Sequence, residues 1–219
     1  MSLKQQLEEY RAGWYKRVPA ERQAIMKRHI EQLREGEISR TMLKVGDRAP
    51  AIVLGNARGE TVDVGAMLRH GPVIVTFYRG GWCPYCNLEL KAFQEILPQI
   101  EAAGASLVAI SPERPDESLS TAEKNALSFE VLSDVGQKAG RAFGLVYEFT
   151  DELKTAYNGF GLDIPARNGA PGEWALPVSA TYVIGPDGII SYAYTDTDYR
   201  DRADPLDVLK VLTQRAAAA

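Results

Sequence analysis

PVIVTFYRGGWCPYCNLELKAFQEILPQIEAAG, residues 72–104, decides the fold. Its first seven residues, 72–78, form a continuous apolar run rich in β-branched side chains, the pattern of a strand buried on both faces. Gly80 and Gly81 give a tight turn. Cys83-Pro84-Tyr85-Cys86 follows at once, and the chain from Asn87 then reads as one helix closed by Gly104. A cysteine at the first turn of a helix meets unpaired N–H groups and the positive end of the helix dipole. Both stabilise a thiolate, the form that attacks a disulfide or a peroxide. A second cysteine one turn on can resolve the product into a C-x-x-C disulfide.

Outward from this segment, strands and helices alternate. Residues 106–111 read as a second buried strand, 118–127 as a helix, 129–134 as a short strand and 136–145 as a helix. A hairpin turns at Asp187–Gly188 between 181–186 and 189–195, and 205–214 closes the chain as a helix. The pattern predicts an α/β fold with a central mixed sheet and helices on both faces. Residues 1–42 read as an N-terminal helical extension. Its second helix starts at Pro19, carries Ile25, Met26, Ile30 and Leu33, and ends at Gly36. This extension either packs on the main domain, 43–215, or offers a homodimer or partner surface. Within the main domain, 147–176 is rich in Gly, Pro and aromatics and is long for a connection. It is an insertion with structure of its own or a functional loop. The only low-complexity tract is Ala216–Ala219.

The chain has 219 residues, 45% hydrophobic and 25% charged, enough to bury a core without a staple. A net charge of -4 argues against a nucleic-acid or anionic-membrane surface. No stretch approaches the ~20 apolar residues of a membrane helix, and the charged N-terminus does not read as a secretory signal. The expected compartment is the cytoplasm, where two close cysteines are more often catalytic than structural. A zinc site needs about four ligands; the two histidines, His29 and His70, are far from the cysteines in sequence. No metal or organic cofactor is implied.

Several separated segments, in order, resemble the peroxiredoxin-like AhpC/TSA family. They are KVGDRAPAIVL (44–54), FYRGGWCPYCNLELKAF (77–93), VAISPERP (108–115), NALSFEVLSDVGQKAGRAFGL (125–145) and TYVIGPDGII (181–190). The resemblance covers about Val45 to Leu212 and leans to the bacterioferritin-comigratory, Q-type branch. It implies a thioredoxin-like three-layer α/β/α fold. It also implies a thiol-dependent peroxidase acting on hydrogen peroxide or alkyl hydroperoxides and reset by a thioredoxin- or glutaredoxin-like dithiol. The alternative is a protein dithiol–disulfide oxidoreductase with the same fold and cysteines.

In the family motif P-x-x-x-T-x-x-C, Cys86 stands at the peroxide-attacking position, Cys83 replaces the threonine and Arg79 the proline. Glu89 and Phe93 fit the E-x-x-x-F that follows. The thioredoxin reading reverses the roles and makes Cys83 the nucleophile. The family's arginine before the late strand falls at about Ser179 here, with Pro177 nearby. Arg79 could stabilise the thiolate or orient a peroxide oxygen; its other reading is an exposed loop arginine or a salt bridge to Glu89. Trp82 reads as packing and shielding. Tyr85 reads as a hydrogen-bond donor or an exposed docking aromatic.

Overall fold

The structure is a computed structural model that describes residues 1–216; Ala217–Ala219 of the terminal alanine tract lie outside the described residues. Three helices lead: α1 (Leu3–Arg17), α2 (Ala20–Glu35) and the short α3 (Ile38–Thr41). Ser2 and Gln5 close a capping box on α1. Then come β1 (Val53–Asn56), β2 (Thr61–Asp63), α4 (Val64–Leu68) and β3 (Val73–Phe77). Next are α5 (Pro84–Glu95), α6 (Leu97–Ala102), β4 (Ser106–Ser111), α7 (Pro115–Lys124), β5 (Glu130–Ser133) and α8 (Lys138–Ala142). The last third holds β6 (Val146–Glu148), α9 (Asp151–Gly159), α10 (Ile164–Asn168), β7 (Ala175–Pro177), β8 (Ala180–Ile184), β9 (Ile190–Thr195) and α11 (Pro205–Ala216).

Seven strands form one sheet in the order β2-β1-β5-β4-β3-β8-β9. β3, β4 and β5 are parallel neighbours; β8 joins β3 antiparallel, with Phe77 opposite Ala180. Side chains alternate across β3 and so feed two cores. Val73, Val75 and Phe77 face one core with residues of α2 and α9. Ile74 faces the other, with α1, α5 and α11, and both cysteines lie on that side. This is the three-layer mixed-sheet arrangement that the strand and helix alternation predicts.

Three details differ from the sequence reading or complete it. The helix expected across 87–104 breaks after Glu95, because Pro98 enters the first turn of α6 and offers no N–H to continue the α5 ladder. The 147–176 segment has structure of its own: β6 and β7 pair antiparallel, and the chain between them forms α9 and α10. The N-terminal helices pack inward, α1 on α5 and α2 on α9. Leu3, Leu7, Ile25, Met26 and Ile30 are all buried within the chain.

Candidate active site

Tyr78 ends the β3 run, and the chain turns at Gly80 with a φ of +139. A Cβ there would lie 2.3 Å from Trp82 Nε1 and 2.8 Å from Glu113 Cδ, so only glycine fits. The turn is held from two sides. The Gly81 N–H donates to Glu113 Oε2 at 2.7 Å, and Asn87 Nδ2 donates to the Gly81 carbonyl at 2.8 Å. Glu113 is buried and pairs with Arg167 of α10 at 3.3 Å. Burial pushes its carboxyl up to about 7 against the Gly81 N–H and the Arg167 charge. The turn delivers Cys83 to the N-cap of α5 and Cys86 to its first turn, both as free thiols.

Both cysteines are buried. Cys83 is 1% and Cys86 0% exposed, because α1 and the segment after β9 cover the start of α5. Two arginines are buried with them. Arg79 Nη1 lies 3.8 Å from Cys83 Sγ, and Arg202 Nη2 lies 3.3 Å from Cys86 Sγ. Arg79 also donates to the Tyr157 hydroxyl, and its guanidinium stands 4.1 Å from the Tyr199 ring centroid and 5.0 Å from that of Trp82. It is neither an exposed loop arginine nor a partner of Glu89. Glu89 pairs instead with Arg202 at 3.4 Å and accepts from Thr181 at 3.4 Å.

The electrostatics split the two thiols. Burial raises both, since it penalises the anion. For Cys83 this is outweighed by the hydrogen bond from Cys86 and by the charges of Arg79 and Arg202, so its thiol is held well below the ordinary range. Cys86 is pushed up by burial, by its bond to Cys83 and by the Cys83 charge. The surroundings thus favour the anion on Cys83 over one on Cys86. Burial also pushes Glu89 up to about 7, with Arg202 opposing.

A pocket of about 320 Å³ opens onto this site, lined by Cys83 and Arg79 but not by Cys86. Its outer wall comes from α1 and α2 through Tyr10, Trp14 and Met26, and from the 147–176 insertion through Tyr157. The Trp82 ring stacks beside the Arg79 guanidinium. Tyr85 is buried, not exposed for docking; it meets Tyr10 edge-on at 5.1 Å, and its hydroxyl has no partner among the described residues. Ser179 is buried with an unpartnered Oγ. The arginine that the fold brings to Cys86 is Arg202, from the segment after β9. Sequence reasoning missed Arg202, Tyr157, Tyr199 and Glu113.

A free dithiol at the N-terminus of a helix, on a mixed α/β sheet and flanked by buried arginines, defines a thiol-redox class of protein with a thioredoxin-like fold. The chain belongs to the AhpC/TSA family, whose sequence model matches residues 45–193. A Mycobacterium tuberculosis relative is 35% identical over 104 residues, 48% of this chain and 66% of that protein. Peroxiredoxin Bcp of Escherichia coli is 30% identical over 103 residues, 47% of this chain and 65% of its own length. The chain therefore spans just under two thirds of these two relatives. Chloroplastic peroxiredoxin Q of Sedum lineare is 26% identical over 164 residues, 75% of each chain. Among solved structures, peroxidoxin BcpB of Mycobacterium tuberculosis superposes with a TM-score of 0.62 at 20% identity, covering 78% of this chain and 97% of that one. A cysteine-to-serine mutant of Xylella fastidiosa PrxQ gives 0.62 at 18% identity, over 80% and 98%. The thioredoxin-like fold expected from the sequence is confirmed. Among the described residues no helix is long and apolar enough to cross a membrane.

Proposed function

We propose that this chain is a thiol peroxidase of the peroxiredoxin type and that Cys83 is its attacking sulfur. The observation that carries the reading is that Cys83, beside Arg79, lines the pocket while Cys86 does not; the surrounding charges hold the Cys83 thiol below its ordinary range, and burial pushes Cys86 above it. The Cys83 thiolate attacks the terminal oxygen of a hydroperoxide, and the O–O bond breaks. Arg79 stabilises the sulfur anion beforehand and orients the peroxide. Cys83 becomes a sulfenic acid and the alcohol (water, for hydrogen peroxide) leaves. The Cys86 thiol then displaces the sulfenic oxygen as water and closes the Cys83–Cys86 disulfide. A thioredoxin- or glutaredoxin-like dithiol reduces it by exchange. Glu89 holds Arg202 against Cys86, and Trp82, Tyr85 and Ser179 shape the surroundings. The reaction is placed in the cytoplasm, where reducing dithiols are abundant.

The second reading is disulfide exchange on protein substrates, favoured by Cys83 standing at the helix N-cap. One experiment separates them: peroxide consumption and insulin-type disulfide reduction by wild type, Cys83→Ser and Cys86→Ser. The peroxidase reading expects loss of the first peroxide reaction in Cys83→Ser alone. Cys86→Ser should still react once and stop at the sulfenic acid. Fast insulin reduction with no peroxide consumption would establish the second reading instead.

A further inference from the structure

Three charged groups meet around the dithiol, and their charges balance only while one sulfur is an anion. Arg79 and Arg202 are buried cations. Glu89 neutralises Arg202 at 3.4 Å. Arg79 has the Tyr157 hydroxyl, three aromatic faces and the Cys83 sulfur, and among the described residues it makes no ion pair with a carboxylate. In the reduced protein, two cations face one carboxylate and one thiolate. Closing the disulfide removes the thiolate and leaves a positive charge buried without a counter-charge, a costly state in a low-dielectric interior.

We propose that this cluster makes the Cys83–Cys86 disulfide strongly oxidising, so that the oxidised protein passes its disulfide to low-molecular-weight thiols that enter the pocket. A dithiol–disulfide couple moves toward the oxidising end when its reduced form is the stabilised one. Here two guanidiniums stabilise the reduced form and lose their partner on oxidation. Access points the same way. Cys83 is the sulfur that faces the pocket, and about 320 Å³ admits a small thiol directly.

In the transfer, a thiolate attacks Cys83 Sγ. The S–S bond breaks, and its electron pair stays on Cys86 Sγ beside Arg202, where it takes up a proton. A second thiolate attacks the outer sulfur of the mixed disulfide. It releases the small-molecule disulfide and leaves Cys83 as the thiolate beside Arg79. Two electrons enter the protein; one proton rests on Cys86 and one goes to solvent. A hydroperoxide takes the two electrons back, yielding an alcohol and water. The oxidising poise follows from the charge cluster alone; only the source of oxidising equivalents rests on the peroxidase reading.

The test equilibrates the full chain with reduced and oxidised glutathione at about pH 8, then acid-quenches, alkylates and counts thiols by mass. We expect an equilibrium at least ~100-fold more oxidising than a thioredoxin measured alongside, about 60 mV at roughly 30 mV per tenfold. Arg202→Gln should shift it ~10-fold toward the disulfide, because a cation favouring the thiolate is gone. Glu89→Gln should shift it the other way, because the opposing anion is gone. A purely structural role would not give opposite signs. Wild type alone provides a second readout: the reduced form should melt above the oxidised form, the reverse of an ordinary disulfide. A wild-type equilibrium within about tenfold of thioredoxin, or an oxidised form that melts higher, overturns the proposal. An oxidising equilibrium in a protein that peroxide fails to oxidise would sustain it while sinking the peroxidase reading.

Discussion

Replacing Arg79 with glutamine removes the fixed charge nearest the Cys83 sulfur and keeps a polar side chain in the cage of Trp82, Tyr157 and Tyr199. The magnitude follows from the contact. A charge-assisted hydrogen bond contributes about 1.5–3 kcal/mol net. At 3.8 Å the N–H···S contact is long, which selects the lower end of that range, about 1.5 kcal/mol. At about 1.4 kcal/mol per tenfold, the thiolate-limited rate should fall roughly tenfold near neutral pH. Arg202 and the Cys86 thiol still act on Cys83, so the loss should not be complete. The assay is the rate of alkylation and of peroxide reaction against pH. The Arg79→Gln profile should lie to the alkaline side of wild type, with the alkylation rates converging at high pH where both thiols are ionised. Arg79→Lys, which keeps charge but loses the planar stacking, should fall between them. Superimposable wild-type and Arg79→Gln profiles would refute the reasoning, because the sulfur would then be ionised without help from that cation.

Two other perturbations test the frame around the dithiol. Gly80→Ala meets both a left-handed φ and the overlap with Trp82 and Glu113; it should cost several kcal/mol of stability, read as a large fall in Tm together with loss of peroxide activity. Glu89 and Glu113 have carboxyls raised from the usual 4.5 to about 7. The native state therefore holds more protons than the unfolded state between those values, and stability should fall as pH rises from about 5 to 7. Thermal melts across that range should show the decline, and Glu113→Gln should flatten it; a rising Tm would contradict the buried, raised carboxyls.

The strand, glycine turn and helix are legible in the sequence because each obeys a local rule: a buried β-branched run, glycines where the backbone must turn tightly, and Pro84 in the first turn of a helix. The dithiol is legible from spacing and placement. What surrounds it is not. Arg202 sits in TDTDYRDRADP among aspartates and reads as a solvated loop residue, yet the fold carries it across 116 positions to Cys86. Tyr157 sits at helix spacing with Leu153 and Phe160, but that spacing says only that it is buried, and nothing local aims it or Tyr199 at Arg79. The burial of the cysteines escapes for the same reason: it depends on α1 lying over α5, a contact between segments that no local pattern encodes. Arg79 and Glu89 are both recognisable as site residues, but their closeness in sequence suggests an ion pair that Arg202 makes instead.

Substoichiometric alkylation of the reduced wild-type chain at about pH 6, followed by peptide mass mapping, tests most directly which sulfur carries the charge. Label confined to Cys83 is the result the arrangement of Arg79, Arg202 and the Cys86 proton predicts. Label on Cys86 in preference to Cys83 would contradict it.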